Sequence, residues 1–200
     1  MHLPVPLVLA SQSPRRQALM RHVGFQFTSI VPSIDEDAVD TSLPPHEYVR
    51  ELAFRKAIRG CEMTQVDAIV IGSDTTVVLD DEVLNKPADA DDAARMLRRL
   101  SGRTHVVHTG LALVGRGKGL GRRVASRATK VTFRELSDEE IAAYVASGSP
   151  LDKAGAYGIQ DDFGAVFVSH VEGCYYTIVG LPLELLYTEL RCLVEESDHA

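Results

Sequence analysis

Cysteine is scarce in this chain of 200 residues: there are three, Cys61, Cys174 and Cys192, far apart and without a CxxC pair. An odd, scattered set argues against a disulfide framework and a structural zinc site, and is expected of reduced thiols in a reducing compartment. No apolar run is long enough to span a bilayer, and the first one meets Arg15 and Arg16 too soon to be the core of a secretory signal. The expectation is a cytoplasmic protein with no membrane association. Positive charge is in deficit, with 21 Lys and Arg against 28 Asp and Glu, a formal net charge of −7. Such a chain is a poor non-specific binder of nucleic acid or anionic lipid, although a local cationic pocket can still take a small anion. There is no internal repeat, flexible linker, GxxxxGK[ST] loop or HExxH pattern, and no Ser-His-Asp constellation can be argued.

What is present is an ordinary globular composition, 45% hydrophobic and 24% charged. Strands are expected at Val5–Ala10, Phe25–Val31, Ala68–Gly72, Thr76–Leu79, Val83–Leu84, His105–Val114 and Arg123–Phe133, with short ones near Ala165–His170 and Tyr176–Val179. Helices are expected after Ser13-Pro14, from Pro44-Pro45 to about Arg59, over Asp89–Leu100, over Ile141–Ala146 behind a Ser137/Glu140 capping box, and over Leu181–Val194. Strands and helices alternate without a strict βαβ repeat, which predicts one α/β domain over residues 1–194 with a mixed central sheet flanked by helices, in two lobes with a cleft. Glu195–Ala200 reads as a flexible tail.

Five segments have residue types suited to chemistry. Ser11-Gln12-Ser13-Pro14-Arg15-Arg16 joins a strand to a helix. Its free N–H groups, hydroxyls and guanidiniums suit a phosphate, but a capped helix with two solvated arginines is the plain alternative. Asp35-Glu36-Asp37 can hold a hard cation such as Mg²⁺ or form an exposed acidic turn. Ser73-Asp74-Thr75 is expected at the carboxyl end of a strand, where α/β proteins place ligands; Asp74 there would hold a metal or activate a water, or else simply cap a turn. Lys56 and Lys86 form a further pair; Lys86, before Pro87 in a constrained turn, would balance charge on a leaving pyrophosphate, though most lysines only solubilise. Asp152–Gln160 combines two glycines for close approach with Gln160, a donor and acceptor suited to a nucleobase edge, and with Tyr157, which would stack on a ligand or pack. His105, His108 and His170 show no ligand spacing and read as ordinary strand residues, and Gly115–Gly121 reads as a solvated hairpin tip.

In this order the segments resemble the Maf family of nucleoside triphosphate pyrophosphatases. The matching stretches are Leu9–Arg16, Ser73–Val78, Asn85-Lys86-Pro87, Leu100-Ser101-Gly102 with His105, Asp152–Gln160 and Val179-Gly180-Leu181-Pro182. The resemblance implies an elongated, two-lobed inosine triphosphatase-like fold with a central cleft. It implies hydrolysis of a nucleoside triphosphate at the α–β bond with a divalent cation (Mg²⁺, Mn²⁺ or Co²⁺), and a homodimer. It assigns functional roles to Ser11, Arg16, Glu36, Lys56, Asp74 and Lys86, with Asp74 as proton acceptor, and the chain's Ser13 joins Ser11 and Arg16 at the phosphates. Asp74 and Glu36 would carry the metal. Arg15, Thr75 and Gln160 match the subfamily that prefers dTTP and UTP. Hydrolysis of 7-methyl-GTP or of a modified pyrimidine triphosphate, and a nucleotide-sensing regulator of septum formation, are the alternatives. The chain departs from the family pattern at Ser149, where Glu is usual, and at Asp161-Asp162, where Gly follows the glutamine.

Overall fold

The computed structural model describes residues 3–36, 38–117, 119–160 and 163–197. Asp37, the Asp161-Asp162 pair and Asp198–Ala200 therefore lie outside the described residues. The elements are strands β1 (Leu7–Ala10), β2 (Phe27–Ile30), β3 (Ala68–Leu79), β4 (Glu82–Leu84), β5 (Thr104–Arg116), β6 (Arg122–Phe133) and β7 (Val168–Glu172). The helices are α1 (Pro14–His22), α2 (Pro45–Met63), α3 (Ala90–Leu100), α4 (Asp138–Ala146), α5 (Tyr175–Val179) and α6 (Leu183–Ser197). The strands form one sheet in the order β2-β1-β3-β5-β6-β7, with β4 hydrogen-bonded to β3. β1 runs parallel to β2 and β3, whereas the β3–β4 and β6–β7 pairs are antiparallel. The expected mixed α/β sheet is thus observed.

The chain divides into two compact units. The first comprises residues 1–74, 109–127 and 180–200, and the second 75–108 and 128–179. β3, β5 and β6 each give one part to either unit. In the first unit, β1 is buried along its whole length. The chain leaves it through α1 to β2 on one side and later reaches β3 on the other. The loop after Ala10 is therefore a topological switch point, the place where open α/β sheets hold ligands. α2 lies directly on the sheet. A Cβ on Gly72 would meet the Ala53 carbonyl oxygen at 2.0 Å, and one on Gly110 would meet that of Val49 at 2.0 Å. Only glycine at both places lets the helix come this close.

The second unit has its own core, in which Leu79, Leu97, Val107, Phe133, Ile141, Tyr144, Tyr157 and Phe167 are buried together. The Ser137/Glu140 capping box forms as expected. The Asp80-Asp81 turn joins β3 to β4 with φ of 51° and 65°, the two left-handed residues of a tight hairpin turn.

Four expectations need correction. Ser73-Asp74-Thr75 does not end a strand but lies inside the twelve-residue β3, because Ser73 and Asp74 find polar partners on neighbouring elements. Tyr176–Val179 is a helical turn, closed by the Thr177 N–H on the Cys174 carbonyl at 3.1 Å, so tertiary context overrides the β propensity of this run. Phe163–Phe167 is 3₁₀, so the strand expected from Ala165 begins only at Val168. The last helix also runs on to Ser197, three residues past the expected end.

Candidate active site

In the first unit, the loop after β1 starts the site. The Ser13 hydroxyl accepts from the Arg16 N–H at 3.5 Å and caps α1, with Pro14 in the first turn where its missing N–H costs nothing. The neighbouring serine does something else. Ser11 is buried, and its hydroxyl accepts from the Ser13 N–H at 3.2 Å and from Arg16 Nη1 at 3.3 Å. Its carbonyl accepts from the Ser29 hydroxyl at 2.9 Å, which ties the loop to the end of β2. Arg16 Nε donates to the Gly180 carbonyl at 2.8 Å, across 164 residues of sequence. Burial lowers the pKa of Arg16, and the nearby Asp74 carboxylate works against that shift. Of the two serines, Ser13 caps the helix, as the plain alternative expected, and Ser11 orients the Arg16 guanidinium.

The close seating of α2 creates the second part. Gly72 faces Ala53 and Ala57 on α2. Side chains on a strand repeat every second residue on one face, so Asp74 faces α2 as Gly72 does and meets Lys56, the residue before Ala57. Lys56 Nζ lies 2.6 Å from Asp74 Oδ1 and 2.7 Å from Glu36 Oε1. The side chains of Lys56 and Asp74 are each 13% exposed and that of Glu36 55%, so one ammonium bridges a deep carboxylate and a shallow one. Burial raises the pKa of Asp74, with Lys56 and then Arg16 pulling it back down. A carboxylate so placed is a better proton acceptor than a solvated one, provided it is ionised.

The donor chemistry also suits a metal. Glu36 and Asp74 offer hard carboxylate oxygens around one cation, the ammonium of Lys56. Among the described residues no group of three His, Cys, Asp or Glu side chains could hold an ion alone. Two carboxylates with the rest of the shell from phosphate and water is the usual arrangement for Mg²⁺.

The remaining candidates divide differently. Arg15 is half-buried on α1 in the first unit. Thr75, half-buried, follows Asp74 on β3 and belongs to the second unit, as do Lys86 and Gln160. Lys86 is exposed just beyond β4, and its neighbour Asn85 accepts from the Gly155 N–H at 3.2 Å. Thus the Asn85-Lys86-Pro87 and Asp152–Gln160 segments touch through backbone. The side-chain carbonyl of Gln160 is buried with no hydrogen-bond partner among the described residues. Tyr157 packs rather than stacks on a ligand: it is buried, with its hydroxyl 2.8 Å from His105 Nε2. His105 is a buried residue of β5 whose pKa burial lowers to about 4. Ser149 accepts from Lys153 through both its carbonyl and its hydroxyl.

Sequence reasoning gave no role to Ser73, Ser29 or the Gly180 carbonyl. Ser73 and Gly180 lay within matched motifs, which was a usable signal; nothing in the sequence singled out Ser29.

With this geometry in view, comparison with known proteins is specific. The model of the Maf-like protein family matches residues 6–193. A dTTP/UTP pyrophosphatase of Salinibacter ruber is 49% identical over 191 residues, covering 96% of this chain and 92% of the relative. One of Symbiobacterium thermophilum is 52% identical over 177 residues, covering 88% of each. A solved HAM1 protein from Coxiella burnetii shares the fold at a TM-score of 0.50 and 17% identity, over 94% of this chain and 98% of that one.

Proposed function

Because the chain belongs to the Maf-like protein family, we propose that it is a pyrophosphatase that hydrolyses dTTP and UTP at the α–β bond, releasing the monophosphate and pyrophosphate. The observation that carries this reading is the buried Asp74–Lys56 pair bridged to Glu36, in a chain about half identical to enzymes named dTTP/UTP pyrophosphatase. Asp74 accepts a proton from water as the water oxygen attacks the α-phosphorus. The bond to the bridging oxygen breaks, and pyrophosphate leaves with the electron pair. Lys56 keeps Asp74 ionised at working pH and holds it in place. Arg16, with Ser11 and the α1 N-terminus, binds phosphate oxygens, and a bidentate guanidinium fixes their orientation. Lys86 offsets charge on the leaving group. A divalent cation on Asp74 and Glu36 would neutralise phosphate charge and polarise the reacting phosphoryl group.

Gln160 and Thr75, both in the second unit, read the base in this proposal. The buried Gln160 side-chain carbonyl, without a partner among the described residues, supports that role, since a buried acceptor left unpaired is costly and a ligand N–H would satisfy it. The same reading places the enzyme in the cytoplasm, where free cysteines such as Cys61 and Cys174 stay reduced. The test is kcat/KM for dTTP, UTP, CTP, GTP and 7-methyl-GTP, with Mg²⁺ and with Mn²⁺, for the native chain and Gln160→Ala. Preference for dTTP and UTP that collapses in Gln160→Ala supports the proposal. A native preference for 7-methyl-GTP would overturn the substrate assignment.

A further inference from the structure

Ser73 sits beside the proposed proton acceptor but points to the other face of β3, and it is fully buried. Its hydroxyl oxygen lies 2.9 Å from the Gly110 carbonyl and 3.0 Å from the Gly180 carbonyl, so its single proton serves one or both. The Gly180 carbonyl is also the acceptor for Arg16 Nε at 2.8 Å. It precedes α6 at a residue with φ of 108°, a backbone state that favours glycine. Arg16 is thus held at two points: Nε on a carbonyl fixed from its other side by Ser73, and Nη1 on the Ser11 hydroxyl. A guanidinium is planar, so fixing Nε and Nη1 sets the plane in which its other donors lie.

We propose that Ser73 is a positioning residue for Arg16, acting through the Gly180 carbonyl, and that the Val179–Pro182 segment serves to present that carbonyl. The proposal rests on the reading of Arg16 as a phosphate ligand. Ser73 touches no substrate in this scheme. Its hydroxyl keeps the Gly180 carbonyl turned toward Arg16, so the guanidinium meets the triphosphate already oriented and less is lost in ordering it on binding.

The test is a double-mutant cycle on the full chain with dTTP as substrate, using Ser73→Ala, Arg16→Lys and the pair, with melting temperature measured for each. Lysine cannot reproduce the Nε bond, so it removes the link that Ser73 supports. Ser73→Ala is expected to lower kcat/KM about tenfold, mainly through KM, as the loss of one hydrogen bond to a binding group would. It should cost nothing further in the Arg16→Lys background. Independent, multiplying losses would overturn the positioning role alone. An Arg16→Lys enzyme with native kcat/KM would overturn both this role and the phosphate role of Arg16. Should Ser73→Ala fold poorly, Ser73→Cys keeps a side-chain donor at this position, though a weak one. Its kcat/KM is expected below native, and a native value in a folded Ser73→Cys enzyme would overturn the proposal.

Discussion

The two units bury polar groups in opposite ways. The first buries charge: Arg16, Lys56 and Asp74 lie together, with Glu36 at the edge. The second buries a neutral pair, His105 and Tyr157, walled by Phe133 at ring distances of 5.1 and 4.7 Å. Burial lowers the pKa of His105 and raises that of Tyr157, so neither ionises near neutral pH. Buried charge is costly, and a fold that only needed a polar tie could use the cheaper neutral arrangement of its second unit. The difference teaches that the first cluster carries a cost that shape alone does not require, which fits the substrate role proposed for its ionised groups, whereas the second serves packing.

The largest effect should come from Asp74→Asn, which keeps size and removes charge. Turnover of dTTP is expected to fall about 10³-fold. The raised pKa of Asp74 means that its ionised form is disfavoured in the fold, so the native state binds a proton more readily than the unfolded chain. Stability from this group is present at low pH and lost as pH rises through the raised value. Asp74→Asn should therefore match or exceed the native melting temperature at pH 7, and a large drop in a thermal melt would break the contrast.

Lys56→Met comes next. Lys56 is the foremost of the influences that hold the Asp74 pKa down against burial. Without it the acidic limb of the pH profile of kcat/KM should move to higher pH, because Asp74 must be ionised to accept a proton in the proposed mechanism. An unmoved limb would separate Asp74 from the rate-controlling titration.

The second unit answers to a different change. His105 titrates near 4 in the fold and near its ordinary 6.5 when unfolded. Its contribution is present above pH 6.5 and is lost as pH falls toward 4, a loss on the order of 3 kcal/mol. His105→Gln should flatten urea-midpoint stability over that window. Smallest is Ser137→Ala, which removes only the α4 cap: about 1 kcal/mol in a denaturant titration, with kcat/KM unchanged.

Much of the fold was legible because local rules agree with tertiary packing here. Ser13-Pro14, the Ser137/Glu140 box and the Asp80-Asp81 turn each signal an element that forms where expected. Legibility failed where long-range partners decide. A Ser-Asp-Thr run reads as a strand end until Lys56 and the Gly110 and Gly180 carbonyls are seen to satisfy it inside β3. In the site, Ser11, Arg16, Glu36, Lys56 and Asp74 gather in the first unit. Two side chains, Ser73 and Ser29, were given no role because a hydroxyl's partner is set by contacts far along the chain.

The most direct test of the central claim is the identity of the products formed from dTTP. Equal amounts of dTMP and pyrophosphate, resolved by chromatography and lost together in Asp74→Asn, are expected. Release of dTDP and orthophosphate would contradict it.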